Sequence, residues 1–350
     1  MNRIAPRTAV AAAVATAALA TPALAQARDT ISVVGSSTVY PFATVVAERF
    51  GRNTDFGTPK IESTGSGGGL KLFCQGIGVD TPDITNASRR IKASELQMCQ
   101  DNGVTDVVEV LIGFDGIAVA NSVEADQLDL SREQLFLALA AQVPNPDGEG
   151  LVDNPYQMWS QIDPALPNVG IEVLGPPPTS GTRDAFVELV MEEACEGFDA
   201  IASLPEEQME TACASMREDG VYVEAGENDN LIVQKLDANP DAVGIFGYSF
   251  LDQNSDMVQS SMIDGVAADF DTISDGSYPI SRPLYMYAKG QHVGTVPGIE
   301  EYLAEFTSEA AFGEDGYLAE KGMIPLDEER RDEVAAAAEA LEPLEPSALN

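Results

Sequence analysis

The stretch VGIEVLGPPPTSGTRDAF, residues 169–186, runs from a short β-branched segment through three prolines into a small polar turn. After the turn, apolar residues recur at helical spacing, at Ala185, Phe186, Leu189, Val190 and Ala194. This pattern predicts a strand, a turn and a helix that begins near Ser180. Free backbone N–H groups and the positive end of the helix dipole lie at such a turn, and both favour a bound anion.

The side chains of this turn have the chemistry of an oxyanion site. Ser180 and Thr182 supply hydroxyl donors, and Gly181 allows a ligand to approach the backbone closely. Arg183 supplies a planar guanidinium that suits a tetrahedral oxyanion. The same residues also fit an ordinary helix N-cap followed by a solvated arginine, so this turn alone leaves both interpretations open.

Three further turns, at 35–38, 64–69 and 87–90, each follow a predicted strand. Each of these turns carries Ser, Thr, Gly or Arg residues, which have the chemistry of an oxyanion site. The glycine-rich turn lacks both the Gly-Lys-Ser/Thr of a P-loop and the dinucleotide-binding spacing. In open α/β sheets such corners gather at the carboxyl ends of the strands, where ligands bind. Together the four turns predict a single oxyanion cradle.

The charge of the chain excludes several classes of partner. Its 57 acidic residues against 19 Lys and Arg give a formal net charge of −38. Such a charge argues against nucleic acid or an anionic membrane surface as the partner. An anionic ligand is still compatible with it, because net charge is screened over about 10 Å at moderate salt, whereas hydrogen bonds act at contact.

The first 25 residues predict a signal peptide. Arg3 and Arg7 precede an alanine-rich apolar stretch, with a cleavage site after Ala25 or, alternatively, after Ala27. Neither cut is followed by the cysteine of a lipid anchor, and no later stretch is apolar enough to span a bilayer. We expect an exported protein without membrane insertion.

The remaining chain is long enough for two lobes, and export permits disulfides. The four cysteines allow three pairings. Sequence neighbours close the shortest loops, which favours the pairs Cys74–Cys99 and Cys195–Cys213. No Cys-x-x-Cys spacing is present, so zinc or a redox dithiol is not expected.

The sequences of the turns and their order along the chain resemble those of one known family. The motifs are GSSTVYPF, GSGGG, ASR, FDGIAV, SGTR, GIFGYSF and SRPLYMYAKG. In that order they resemble the periplasmic phosphate-binding proteins of ABC phosphate importers, over roughly residues 29 to 345. The resemblance implies an α/β protein of two lobes, each a mixed sheet flanked by helices, that closes on one phosphate and docks on a membrane permease.

The resemblance also divides the chain. Two long extended runs, 108–121 and 278–290, would serve as crossover strands and form the hinge. Lobe 1 would then contain residues 29–112 and 284–350, and lobe 2 residues 113–283. The end of the chain, from Glu328, is expected to form a charged helix with a loose tail.

By the pattern of the family, Ser37 and Thr38 donate hydroxyl and backbone hydrogen bonds from the first corner, Ser66 and Gly67 from the second, and Ser180, Gly181 and Thr182 from the opposite lobe. Ser88, beside Arg89 in the third corner, is included in the expected ligand set. Here the chain departs from the best-known members at two positions: Pro176 stands where they carry an arginine, and Arg89 where they carry an aspartate. That aspartate accepts the proton of monohydrogen phosphate and so excludes sulfate. Arg89 and Arg183 are expected to touch the ligand, and Asp115 is the first candidate for the missing acceptor, with Asp184 second.

Other functions remain as alternatives: a binding protein for sulfate, molybdate or arsenate, or a secreted phosphatase or adhesin on the same fold. Serine chemistry needs a base, and the single histidine, His292, is expected in a surface loop away from the corners. No set of metal ligands is evident. We expect a periplasmic monomer that has no catalytic activity, metal or cofactor, and whose partners are phosphate and a permease.

Overall fold

The computed structural model describes residues 28–226 and 229–349. The predicted signal peptide and its cleavage near Ala25 lie outside these residues. The strands are β1 (Ser32–Gly35), β2 (Lys60–Ser63), β3 (Ile84–Ala87), β4 (Val107–Ser122), β5 (Asp129–Leu130), β6 (Gln142–Pro144), β7 (Leu151–Asp153), β8 (Val173–Gly175), β9 (Tyr222–Glu224), β10 (Val243–Gly247), β11 (Val258–Ser260), β12 (Met262–Ile263), β13 (Val266–Ala267) and β14 (Ser281–Lys289).

Helices alternate with the strands for most of the chain. They are α1 (Tyr40–Asn53), α2 (Ser66–Phe73), α3 (Ala93–Asp101), α4 (Arg132–Leu139), α5 (Trp159–Ile162), α6 (Gly181–Phe186), α7 (Glu193–Cys195), α8 (Asp199–Ala202), α9 (Glu206–Ala214), α10 (Asp229–Ala238), α11 (Tyr248–Gln253), α12 (Phe270–Ser274), α13 (Ile299–Phe306), α14 (Glu309–Phe312) and α15 (Glu328–Glu339). A π-helical segment, Val187–Glu192, continues α6, and short 3-10 helices lie at Gly290–His292, Ala319–Lys321 and Pro346–Leu349.

The long strand β4 joins two halves of one mixed sheet, whose order is β2-β1-β3-β14-β4-β10-β8-β9. On one side, β1, β2 and β3 run parallel, and β14 runs antiparallel to both β3 and β4. On the other side, β8 runs parallel to β9 and β10, while β10 and β11 pair antiparallel with β4. Two small sheets, β13-β12-β5 and β6-β7, complete the strands described.

Two separate cores lie along β4. Val108, Val110 and Ile112 are buried in a core with α1 and α13, whereas the residues from Ile117 to Ala120 are buried in a core with α4, β8 and β10. Strand β14 divides in the same way, with Met286 in the first core and the preceding Ile280 in the second. We call the half with β1–β3 lobe 1 and the half with β8–β10 lobe 2. The two-lobed α/β fold predicted from the sequence is confirmed.

A third segment also connects the lobes. The N–H of Phe114 donates to the carbonyl of Ile324 at 2.8 Å, and the N–H of Ile324 returns a bond of 2.9 Å. The side chain of Ile324 is buried in the lobe 2 core. Gly113 makes the close approach possible, because it has φ +149° and a Cβ there would lie 2.7 Å from the Ile324 carbonyl oxygen.

The prediction of a surface loop for His292 is wrong. The residue is 1% exposed, its Nδ1 lies 2.6 Å from Asp83 Oδ1, and its Nε2 lies 3.0 Å from the carbonyl of Ile77. Asp83, at the start of β3, is fully buried and also accepts the N–H of Ser32 at 2.7 Å. The imidazole thus holds the amino ends of the lobe 1 strands, on the opposite side from the predicted corners.

The prediction of a loose tail is also wrong. After α15, Pro343 forms a bridge with Val108, and the N–H of Leu344 donates to Val107 at 2.7 Å. Arg90 donates to the carbonyl of Ala348 at 2.9 Å. The tail therefore follows the edge of β4, where its leucines cover apolar surface of lobe 1.

Both predicted disulfides are confirmed. Cys74–Cys99 joins the end of α2 to α3 over 25 residues, and Cys195–Cys213 joins α7 to α9 over 18 residues. Each bond lies within one lobe, so neither constrains the two lobes relative to each other.

Replacing Cys195 and Cys213 together with serine is expected to lower the free energy of unfolding by about 2–4 kcal/mol, because the loop they close gains entropy in the unfolded chain. Chemical denaturation followed by circular dichroism measures this change. The same double substitution at Cys74 and Cys99 should have an effect of similar size. If both variants unfold at the parent's denaturant midpoint, the bonds contribute nothing to stability.

Candidate functional site

Four strand-to-helix corners carry all of the predicted site residues except Asp115, which lies on β4. In lobe 1, β1, β2 and β3 are parallel, so the residues that follow their carboxyl ends lie along one edge of the sheet. Those residues are the Ser37-Thr38 pair, the start of α2 at Ser66, and the Ser88-Arg89 pair. In lobe 2, the corresponding corner lies between β8 and α6, where Ser180 caps the helix by accepting the N–H of Thr182 at 3.3 Å.

The lobe 1 corners contact each other directly. Ser66 Oγ accepts the N–H of Ser88 at 3.1 Å and lies 3.1 Å from Ser88 Oγ. Helix α2 approaches the sheet closely through Gly69, where a Cβ would lie 2.5 Å from Gly35 Cα. Glycine is needed at position 69 because any side chain would push α2 away from the strand ends. Gly67, which the sequence assigns to the ligand, is exposed at the first turn of α2.

Arg183 is the feature of the lobe 2 corner with the clearest chemical consequence. Its guanidinium lies 4.5 Å from the centre of the Tyr222 ring, and the Tyr222 hydroxyl is held by the carbonyl of Pro176 at 2.6 Å. Nη1 of Arg183 is buried, and no acceptor within residues 28–226 and 229–349 reaches it. A buried charged donor without a partner costs free energy that a bound anion would recover.

Arg282, on β14, is a central residue that the sequence prediction missed. It is 5% exposed, and all three of its nitrogens are bound. Nε donates to Asp115 Oδ2 at 3.3 Å, Nη2 donates to Thr38 Oγ1 at 2.5 Å, and Nη1 donates to Glu188. The signal was present as an arginine within the apolar run SRPLYMY, but the run indicated only a crossover strand.

This guanidinium brings the two lobes together at one point. Thr38 belongs to the first corner of lobe 1, whereas Glu188 follows α6 in lobe 2. Because Thr38 Oγ1 accepts from Arg282, its own hydrogen is left to donate to a ligand. Ser37, the neighbour of Thr38, is exposed.

Arg89 lies at the lobe 1 edge, but its charge is already paired. Its two terminal nitrogens donate to both oxygens of Glu95, at 2.7 and 2.9 Å. The hydrogen bond with Glu95 raises the pKa of Arg89 above its usual value, and the field of Glu188 contributes in the same direction. The guanidinium is close to Gly67, where a Cβ would lie 3.9 Å from Nη2.

Two carboxyl groups share this electrostatic environment. Burial raises the pKa of Asp115 above its usual range, although Arg282 opposes the shift. Burial also raises the pKa of Asp184, with Arg282 and Arg183 opposing it. Asp184 thus lies in the electrostatic field of both arginines.

Asp229 begins α10 and lies near the carboxyl end of β10, on the same edge as the β8 corner. It is 9% exposed, and Oδ2 accepts the N–H of Gly247 at 3.5 Å. Burial raises the pKa of Asp229 from its ordinary value of 3.8 to about 6. The sequence prediction missed this residue because no motif marks it.

The sign of this pKa shift predicts a stabilising substitution. The carboxyl of Asp229 has a higher pKa in the folded protein than in the unfolded chain, so its protonation stabilises the fold. This contribution is fully present below about pH 4 and is lost as the pH rises through 6. Asp229→Asn should therefore raise the free energy of unfolding at pH 7.5 by up to about 3 kcal/mol, with much less effect at pH 4. Urea denaturation at both pH values measures it, and Asp237→Asn, on the exposed face of α10, is the control. A destabilised Asp229→Asn protein at pH 7.5 would contradict the prediction.

Within the described ranges, no group of three or more His, Cys, Asp and Glu side chains is arranged to hold a metal ion. The helices of residues 28–226 and 229–349 include none that is long and apolar enough to cross a membrane.

Known proteins resemble the chain over most of its length. It is 28% identical to the protein SphX of Synechocystis sp., covering 87% of this chain and 80% of the relative. It is 27% identical to the phosphate-binding protein PstS of Staphylococcus saprophyticus, covering 77% and 73%.

Solved structures share the fold. A possible phosphate binding protein from Planctomyces limnophilus superimposes with a TM-score of 0.71 and 25% identity, covering 89% of this chain and 98% of that one. An ABC-type phosphate transport receptor from Vibrio cholerae superimposes with a TM-score of 0.54 and 21% identity, covering 84% and 99%. The family model of the PBP superfamily domain matches residues 20–310. Because this match covers most of the sequence, the chain belongs to the PBP superfamily.

Proposed function

We propose that the chain is an exported solute-binding protein that captures inorganic phosphate between its two lobes and delivers it to the permease of an ABC importer. The observation that carries this proposal is the buried, unpartnered Nη1 of Arg183 beside the hydroxyl-rich corner of lobe 2. The names of the relatives from Staphylococcus and Vibrio, which refer to phosphate binding and phosphate transport, support the same ligand.

The corners supply what a buried dianion requires. Phosphate must exchange its water shell for protein donors, since each donor or acceptor left unmatched costs about 1–3 kcal/mol. The proposed ligand set is Ser37, Thr38, Ser66, Gly67, Ser88, Arg89, Asp115, Ser180, Gly181, Thr182 and Arg183. Hydroxyl and backbone donors dominate this set, and they act at contact, where the net charge of −38 has little influence.

The proposed mechanism of capture depends on the division of the chain into two lobes. Lobe 1 (29–112 and 284–350) and lobe 2 (113–283) each carry part of the donor set, so the ligand is enclosed only when the lobes approach each other. Strands β4 and β14 form the hinge, and Gly113 lies at the point where β4 passes between the cores. Binding energy from both lobes then stabilises the closed form.

The proposal assigns no catalysis to the site. The single histidine is buried against Asp83 in lobe 1, so no imidazole base faces the serine residues of the corners. Ser180 Oγ accepts the N–H of Thr182, which leaves its hydroxyl hydrogen to donate to a ligand. This arrangement supports the binding of an oxyanion over the cleavage of an ester. Export to the periplasm and action as a monomer are parts of the same proposal.

Calorimetric titration of the phosphate-stripped protein with phosphate, arsenate, sulfate and molybdate tests the proposal. We expect one site per chain, tight binding of phosphate and arsenate, and much weaker binding of sulfate and molybdate. Preferential binding of sulfate or molybdate would assign the protein to a different oxyanion. Hydrolysis of a chromogenic phosphate ester by the purified protein would contradict the absence of catalysis.

A further inference from the structure

Arg282 interacts with two carboxylates although it carries a single positive charge. Asp115 binds Nε, and Glu188 binds Nη1. Arg89 is likewise neutralised by Glu95. Of the arginines described in the cleft, Arg183 alone retains a buried donor without a partner. A dianion that enters this cleft therefore meets an excess of negative charge around Arg282.

The Glu188 carboxylate lies where it would affect an incoming anion most. It binds one terminal nitrogen of Arg282, while Thr38 Oγ1 binds the other, so the carboxylate lies beside a hydroxyl of the proposed ligand set. Its field also reaches Arg89 in lobe 1 and Asp184 in lobe 2. An oxyanion held by Thr38 and Arg183 would stand next to Glu188, and like charges in a partly dry cleft repel strongly.

The two carboxylates that bind Arg282 differ in how easily they can move away from it. Asp115 lies directly opposite Arg282 in the β4–β14 register, and its side chain is 15% exposed. The Glu188 side chain is 57% exposed and extends from the π-helical segment that continues α6. Its longer side chain reaches water by rotation alone, whereas Asp115 is fixed by the sheet. Segments of π-helix occur often at functional sites.

We infer that Glu188 is an internal counter-ion that occupies the cationic part of the cleft in the ligand-free protein, and that the oxyanion displaces it from Arg282. This inference rests on the proposed function. Arg282 then exchanges one anion for another, while Asp115 and Thr38 keep it in place. Glu188 determines affinity, because the free energy of its pair with Arg282 is subtracted from the free energy of binding. The buried guanidinium of Arg282 therefore has an anionic partner both before and after the ligand binds.

Glu188→Gln tests the inference, with Glu192→Gln as the matched control. Glu192 lies one turn further along the same π-helical segment, and its neighbours are other glutamates, so its substitution removes the same charge without touching Arg282. Phosphate titration by calorimetry should show binding about fivefold tighter for Glu188→Gln, the upper range for a half-exposed ion pair. The affinity of Glu188→Gln for sulfate and arsenate should increase by a similar factor. The Glu192→Gln protein should bind all three anions about as tightly as the parent does.

Every other result overturns the inference. Unchanged or weaker phosphate binding by a folded Glu188→Gln protein means that Glu188 does not compete with the ligand. Weaker phosphate binding together with stronger sulfate binding means that Glu188 accepts the phosphate proton instead. An equal gain in phosphate affinity in the Glu192→Gln protein means that the affinity depends only on the net charge of the region and not on the contact between Glu188 and Arg282. A folded parent that binds none of the oxyanions refutes the proposed function and, with it, this inference, whereas the first three results leave the proposed function intact.

Discussion

Arg183→Ala is expected to weaken phosphate binding by at least about a hundredfold, because hydrogen bonds to charged groups contribute about 1.5–3 kcal/mol each and this guanidinium offers more than one. The side chain is already oriented by its contact with the Tyr222 ring, so little ordering entropy is lost on binding. Nη1 is buried without a partner and gains one from the ligand. Calorimetry on the phosphate-stripped variant measures the loss.

Two further variants serve as controls for the Arg183→Ala measurement. Arg183→Lys keeps the charge but loses the planar fork and the stacking on Tyr222, so we expect it to recover only a small part of the affinity. Arg132→Ala removes an arginine of the same lobe that pairs with Asp264 outside the corners, and it should bind as the parent does. An Arg183→Ala protein that binds phosphate within about threefold of the parent would place the site elsewhere.

The corners were predictable because their signals are local. A helix was predicted to begin near Ser180, and this residue caps α6 by accepting the N–H of Thr182, two positions further along the chain. The glycine-rich turn of α2 and the hydroxyl pair after β1 are likewise defined by adjacent residues. Both disulfides close short loops, so sequence distance alone favoured the correct pairing. Each of these features depends on a few neighbouring residues and on no long-range register.

The centre of the cleft was not predictable, because it depends on pairings between distant segments. Arg282 meets Asp115 across 167 residues, Thr38 across 244 and Glu188 across 94. Only the antiparallel register of β14 with β4 places Arg282 beside Asp115. The same limitation explains the wrong prediction for His292, whose partner Asp83 lies 209 residues away. A glycine-flanked histidine looks like a loop residue until its buried partner is known.

The arginines of the cleft differ in a way that sequence position cannot reveal. Arg89 and Arg183 both stand in hydroxyl-rich corners, yet Arg89 is bidentate with Glu95 and Arg183 has a free donor. A paired arginine contributes less to binding, because the ligand must share it with the existing carboxylate. We therefore expect Arg183 to contribute more to ligand binding than Arg89, although the sequence weighted them equally.

Asp115→Asn is expected to weaken phosphate binding and to reduce its advantage over sulfate by more than about tenfold. Oδ2 of Asp115 accepts from Arg282, and within the described residues no hydrogen bond reaches Oδ1, which is therefore available for the proton of monohydrogen phosphate. Sulfate has no proton at neutral pH, so its oxygen would face a carboxylate oxygen at a cost of several kcal/mol. An asparagine would keep its oxygen on Arg282 and turn its amide N–H groups toward the ligand, which removes the repulsion of sulfate.

Parallel titrations of the Asp115→Asn protein with phosphate and sulfate measure the change in selectivity. Asp184→Asn is the matched control, since it removes one carboxylate charge near the same two arginines from an exposed position at the start of α6. If Asp184 carries the selectivity, the control will lose discrimination and Asp115→Asn will not. If Asp115→Asn loses affinity for phosphate yet rejects sulfate as firmly as the parent, Asp115 serves only to hold Arg282. The proton acceptor is then another group in the cleft.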